Sequence, residues 1–162
     1  MPKRFRHIAI AATGLAIGLL ACQSNNVEVE TTKNASEATF LSSPEHLALG
    51  FPFSEAVQIG NMLYLSGQVG NVPGTSTVVE GGIQAETHQI FENIQGVLER
   101  NGSSLDRVVK CTAMLDDIAE WPAMNEIYAE YFPGPKPVRS ALGADGLALG
   151  AKIELECWAT VD

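Results

Sequence analysis

The chain has 162 residues, with 19 acidic against 10 basic side chains and a formal net charge of −9. That length accommodates one ordinary domain and a short appendage. So acidic a chain is repelled by phosphate, which argues against nucleic-acid binding and against a charge-driven grip on anionic lipid.

Lys3, Arg4 and Arg6 make a positive start, followed by an apolar run from Ile8 to Leu20 broken only by Thr13, Gly14 and Gly18. A spanning helix needs about 20 apolar residues, so the run predicts a secretory signal over residues 1–21. Its ending, Leu19-Leu20-Ala21-Cys22, resembles the bacterial lipobox, in which the cysteine is lipidated and becomes the new N-terminus. Each buried CH₂ of such a lipid contributes about 0.8 kcal/mol of membrane affinity. Gln23 stands where the lipoprotein pattern associates aspartate with inner-membrane retention, so the expectation is a lipoprotein facing the periplasm, with the outer membrane slightly favoured in a two-membrane cell, or one on the extracytoplasmic surface. Residues 22–43 are polar, lack a sustained apolar period and read as the lipidated cysteine with a flexible tether. The domain is expected over residues 44–162.

Within it, Ala56–Ile59 and Met62–Val69 flank Gly60-Asn61, the pattern of a β-hairpin. Gly70–Gly82 reads as loop, with a short strand at Val78-Val79. Ile83–Arg100 predicts a helix, because Ile90, Phe91, Ile94, Val97 and Leu98 form one apolar stripe and Asn101-Gly102 is a stop. Arg107–Leu115 is β-rich. A second helix begins around Pro122, carries Met124, Ile127, Tyr128 and Tyr131 at helical spacing, and breaks at Phe132-Pro133-Gly134-Pro135. Val138–Leu142 and Lys152–Thr160 complete an order β-β-(β)-α-β-α-β-β. This implies an α+β fold with both helices on one face of a mixed sheet and the other face left for an oligomeric partner. Cys111 and Cys157, inside apolar strand-like runs, read as small buried hydrophobes rather than as a bridge. No CxxC or paired-histidine motif suggests a metal site.

The tail narrows the class. Pro137-Val138-Arg139-Ser140, with Lys152-Ile153-Glu154-Leu155-Glu156 downstream, resembles the signature of the Rid (YjgF-type) family, as do the Ser66-Gly67-Gln68 end of the hairpin, Gln84–Ile94 and Asn125–Tyr128. The resemblance covers Pro52 to Ala159. It implies a chorismate-mutase-like fold, a homotrimer built round a central barrel, and pockets in the clefts between subunits. It also implies hydrolysis of 2-imino acids to 2-keto acids and ammonia without metal or organic cofactor.

By the same resemblance, Arg139 is the carboxylate-binding residue, for which a guanidinium offers a planar two-pronged fork that lysine lacks. Glu154 matches the glutamate that directs water. Its strand phase also fits a solvated face, which Glu156 would share. Phe53, Ser66 and Asn125 match further substrate-binding positions, although strand-end serine and early-helix asparagine also arise for local reasons. Trp121 and Tyr128 read as core or interface packing. The chain departs from the pattern at Ala141, where many members carry cysteine, at Asp145, whose charge could oppose an anion, and at Ala148. A rival reading is therefore a non-catalytic trimer that binds small carboxylates or a protein partner at the cell envelope.

Overall fold

The computed structural model describes residues 37–162. The stretch expected to be a signal peptide (residues 1–21), Cys22 and most of the expected tether lie outside the described residues, among which no helix is long and apolar enough to cross a membrane.

The sheet runs in the order β1 (Ala38–Leu41), β2 (Ala56–Ile59), β3 (Met62–Leu65), β7 (Ile153–Thr160), β5 (Val108–Leu115), β6 (Val138–Gly143), with β4 (Gln68–Val69) also on β7. Every pairing is antiparallel except β5 with β6. The period-2 pattern of the long strands is realised directly. Cys111, Ala113 and Leu115 on β5 and Ile153, Leu155, Cys157 and Ala159 on β7 all point into one core.

Two helices cover that face. On α2 (Gly82–Arg100) the expected stripe is buried, with Ile90, Phe91, Ile94 and Leu98 fully inaccessible. The helix ends where the Asn101 side chain donates to the Val97 carbonyl at 2.7 Å. On α3 (Trp121–Tyr131), Pro122 lies in the first turn and Met124, Ile127 and Tyr128 are buried. A fixed φ and a missing N–H are harmless at that position.

Four expectations are corrected. The folded part begins at β1, inside the stretch read as tether, and a short helix α1 (Pro44–Ala48) follows. This edge strand is largely exposed, so it carries no apolar alternation. It is held instead by backbone pairing to β2 and by Ser43 N–H donating to Glu55 Oε2 at 3.0 Å. The strand expected over Met62–Val69 is two pieces. Between Tyr64↔Trp158 and Gln68↔Leu155 the hairpin side advances four residues against three on β7, which is a bulge at Ser66-Gly67. Finally, Cys111 and Cys157 form a disulfide, because antiparallel register sets them directly opposite on the core face with Cα atoms 4.2 Å apart. Spacing along the chain does not say which strands will pair. The tentative strand at Val78-Val79 is a single bridge, Asn71↔Val78.

The sheet face away from the helices carries Phe40, Val57, Ile59, Tyr64, Met114, Val138, Leu142 and Trp158, in register across β1, β2, β3, β7, β5 and β6. Phe40 and Val138 are 72% and 69% exposed.

Candidate active site

Arg139 stands on β6 in register with Cys111, so its side chain points to the helix-covered face. There it meets α3. Nη2 donates to Asn125 Oδ1 at 2.6 Å, and the guanidinium carbon lies 4.3 Å from the centre of the Tyr128 ring and 5.8 Å from that of Trp121. Asn125 is thus brought to Arg139. Trp121 and Tyr128, read as packing, are the aromatic cradle of the guanidinium. Their spacing at i and i+7 of one helix, with Asn125 between them, was the available signal. Among the described residues Arg139 makes no ion pair, whereas Arg100, Arg107 and Lys152 each do. The Tyr128 hydroxyl is buried without a partner, and burial pushes its pKa up to about 12 against the opposing pull of Arg139. A cavity of about 590 Å³ opens beside Arg139, lined also by Ile118, Ala119, Trp121, Pro122 and Ala141.

Glu154 is placed differently. It pairs with Met114 and Val69, so it projects from the face opposite to Arg139, three rows along β5 and one strand beyond it. Its carboxylate lies over Gly67: a Cβ added there would stand 1.8 Å from Glu154 Oε1. The glycine in the bulge therefore makes room for the acid. Burial is the main cause that raises the Glu154 pKa above the ordinary glutamate range, and the neighbouring Glu156 adds to it. Glu154 lines a second cavity, of about 690 Å³, together with Phe53, Gly67, Asn93 and Leu149. Phe53 stacks on Phe51 with ring centres 5.2 Å apart, and His46 Nε2 lies 2.8 Å from the Phe53 carbonyl oxygen. Leu149 holds φ +60°, the left-handed region that a branched side chain rarely enters, so the wall beside Glu154 carries local backbone strain.

The structure therefore brings Asn125 to Arg139, and Phe53 to the cavity of Glu154, but does not bring the two groups together within one chain. Ser66 lines neither cavity, and its hydroxyl donates to the Ser54 carbonyl at 2.7 Å, the local role. Asp145 is exposed in the β6–β7 connection and also lines neither, while Ala148 lines the second. One supporting residue escaped sequence reasoning. Glu86, on the apolar stripe of α2 and 4% exposed, accepts from Lys152 N–H at 2.7 Å and so anchors the start of the strand that carries Glu154. Burial raises its pKa, and hydrogen bonds from the Lys152 and Ile153 backbone oppose the rise. An acid on a buried helical stripe was the clue.

A mixed sheet covered by two helices defines the class: an α+β protein with a cradled arginine on one sheet face and a partly desolvated carboxylate on the other. The chain belongs to the endoribonuclease L-PSP family, the YjgF/RidA proteins, whose family model matches residues 45–161. It is 43% identical over 114 residues to the chloroplastic Reactive Intermediate Deaminase A of Arabidopsis thaliana, a match that covers 70% of this chain and 60% of that protein, less than two thirds of its length. A 2-iminobutanoate/2-iminopropanoate deaminase of Dermatophagoides farinae is 39% identical over 105 residues, 65% of this chain and 82% of that protein. The crystal structure of the yeast protein YEO7 superposes with a TM-score of 0.72 at 36% identity, covering 78% of this chain and all of the yeast chain.

Proposed function

We propose that the protein is a hydrolytic deaminase of 2-imino acids, working in a homotrimer whose sites lie between subunits, and held at the cell envelope by lipid on Cys22. The observation that carries the reading is the half-buried guanidinium of Arg139, without an ion pair among the described residues, set over the Tyr128 ring and near that of Trp121 with Asn125 as its one strong polar partner. Such a group attracts a planar anion, because burying a cation without a partner is costly. The names of the relatives, reactive-intermediate and 2-iminobutanoate/2-iminopropanoate deaminases, agree with a carboxylate next to a C=N carbon as that anion. The ribonuclease in the family's name receives no support from a chain of net charge −9.

In the reaction, Arg139 holds the substrate carboxylate and Glu154 orients water. The water oxygen bonds to the imine carbon as Glu154 takes one of its protons, the C=N electron pair moves to nitrogen, and Glu154 passes that proton on to the nitrogen. Glu154 then takes the hydroxyl proton of the carbinolamine and delivers it to the amino group, so that the C–N bond breaks, ammonia leaves and the C–O bond becomes the carbonyl of the 2-keto acid. Imines hydrolyse unaided, so positioning and charge stabilisation suffice, and the residues call for no cofactor. Since Arg139 and Glu154 project from opposite faces of one sheet, the site is composite: the arginine of one copy faces the glutamate of the next, and the apolar open face is what the copies bury. Export is supported by the sequence before Cys22 and by the Cys111–Cys157 disulfide, since such bonds persist in oxidising compartments.

Complementation tests the reading. Arg139→Ala and Glu154→Ala proteins should each be inactive towards 2-iminobutanoate. Unfolded and refolded together, they should regain activity, because some mixed seams then carry both native side chains. Wild-type protein that hydrolyses the imine no faster than the spontaneous rate would leave the non-catalytic carboxylate-binding module as the better reading, and Arg139→Ala at a catalysed wild-type rate would remove Arg139 from the mechanism. A mixture as inactive as its components would refute the composite site. Lipid attachment is checked by the mass of the mature N-terminus and its loss in Cys22→Ala.

A further inference from the structure

The helix-facing positions of β6 shrink along the strand from Arg139 to Ala141 to Gly143, in register with Cys111, Ala113 and Leu115 of β5. At Gly143 the Cβ of Ile118 lies only 3.3 Å from where a Cβ would stand, so Ile118 leans across the strand end. Side chains of ordinary size at 141 and 143 would close the space between β6 and the segment Ile118–Pro122. Alanine at 141 leaves it open, as the cavity of about 590 Å³ beside the guanidinium, and Ile118 over Gly143 closes its far end. Each step of two strand residues is about 7 Å, so the trench continues from Arg139 for the length of a large side chain.

Its walls are unusually apolar for an open cleft. Ile118 is 51% and Trp121 39% exposed, although the core lies immediately behind them. Packing of copies through the open sheet face does not account for these two. Val138 and Leu142 point to that face, whereas Arg139 and Ala141, which line the trench with Ile118 and Trp121, point to the other. A charged fork at one end and an unfilled apolar trench leading away from it match one kind of ligand: a carboxylate whose adjacent carbon bears a bulky apolar group.

We propose that this trench receives the substrate's side chain, so that the enzyme prefers 2-imino acids with aromatic or branched apolar side chains over the methyl-sized 2-iminopropanoate. Trp121 is the specificity-determining residue, and Ala141 keeps the trench open. The proposal rests on the deaminase reading and deepens it by naming the substrate class. One methylene more or less in a hydrophobic pocket discriminates by about 10–200-fold.

The test compares kcat/KM for imines generated in situ from phenylalanine, leucine and alanine by an amino-acid oxidase. Calorimetric binding of 3-phenylpropanoate against propanoate provides a readout independent of turnover. The wild type should favour the phenylalanine and leucine imines by at least about tenfold and bind 3-phenylpropanoate more tightly by a similar factor. Trp121→Ala should collapse both ratios and Trp121→Phe should restore most of them. Ala141→Leu, which fills the trench without removing a core contact, should lower both ratios in the same direction. Turnover of all three imines with no preference for the larger ones, or ratios unmoved by Trp121→Ala and Ala141→Leu, would overturn the trench while leaving the deaminase intact. No turnover of any imine, together with equal binding of the two acids, would overturn both.

Discussion

Replacing Gly67 by alanine separates the position of the catalytic carboxylate from its presence. The new methyl would stand 1.8 Å from Glu154 Oε1, 2.8 Å from Cδ and 3.1 Å from Cγ. Ordinary contact begins at 3.4 Å, so the carboxylate oxygen must retreat by roughly 1.6 Å. Gly67 is not among the glycines with positive φ, so alanine meets no backbone penalty there. The group that moves is the far end of a flexible side chain, so thermal unfolding should shift by less than about 1 kcal/mol. Catalysis should suffer much more, because misplacing a reacting group by about 1 Å can cost about 100-fold. Steady-state hydrolysis of a 2-imino acid should therefore show kcat/KM reduced by about 100-fold or more in Gly67→Ala. A double-mutant cycle makes the cause specific. In a Glu154→Gln background, whose activity is already lost, adding Gly67→Ala should have no further effect. Wild-type turnover by Gly67→Ala, or an equal further loss in the Glu154→Gln background, would refute the claim that this glycine acts by seating Glu154.

Three further outcomes follow from the same structure. Reducing the Cys111–Cys157 bridge, or replacing both cysteines by alanine, should cost about 4 kcal/mol for a separation of 46 residues, seen as a fall in Tm of roughly 10–20 °C by calorimetry with and without reductant. The raised pKa of Glu154 gives opposite signs for activity and stability. As pH rises through the raised value the base appears, so the acid limb of kcat/KM should lie above the ordinary glutamate range and vanish in Glu154→Gln. Over the same window the folded state gives up a proton that it holds more tightly than the unfolded chain does, so Glu154's contribution to stability, complete below the ordinary value, is lost as pH rises. Glu86 is shifted in the same direction, and therefore the measurement is the difference in Tm between Glu154→Gln and wild type, which should favour the variant near neutral pH and close near pH 4. Finally, Asn125→Ala removes the 2.6 Å partner that orients the guanidinium and should raise KM for the imine by about tenfold, with a smaller change in kcat.

Local patterns were enough for the helices and the long strands. The stripe of α2 and the alternation of Ile153, Leu155 and Cys157 record which side of each element avoids water, and that preference is a property of neighbouring residues alone. The motif around Arg139 and Glu154 was legible because its residues stand at set distances along the chain. β1 was not legible, because an exposed edge strand is stabilised by backbone pairing and leaves no side-chain period.

What lay beyond the sequence concerns which elements become neighbours. Antiparallel register made two inert-looking cysteines a disulfide, and the bulge at Ser66-Gly67 seated Glu154 over a glycine. The packing of α3 on β6 turned Trp121 and Tyr128 from presumed filling into the walls around a cation. Periodicity along the chain determined a fold class, and the resemblance of its motifs to a family supplied a short list of candidates. Tertiary contacts decided that the arginine and the glutamate leave one sheet on opposite sides, since the phase of each residue relative to its paired strand exists only once the strands have met.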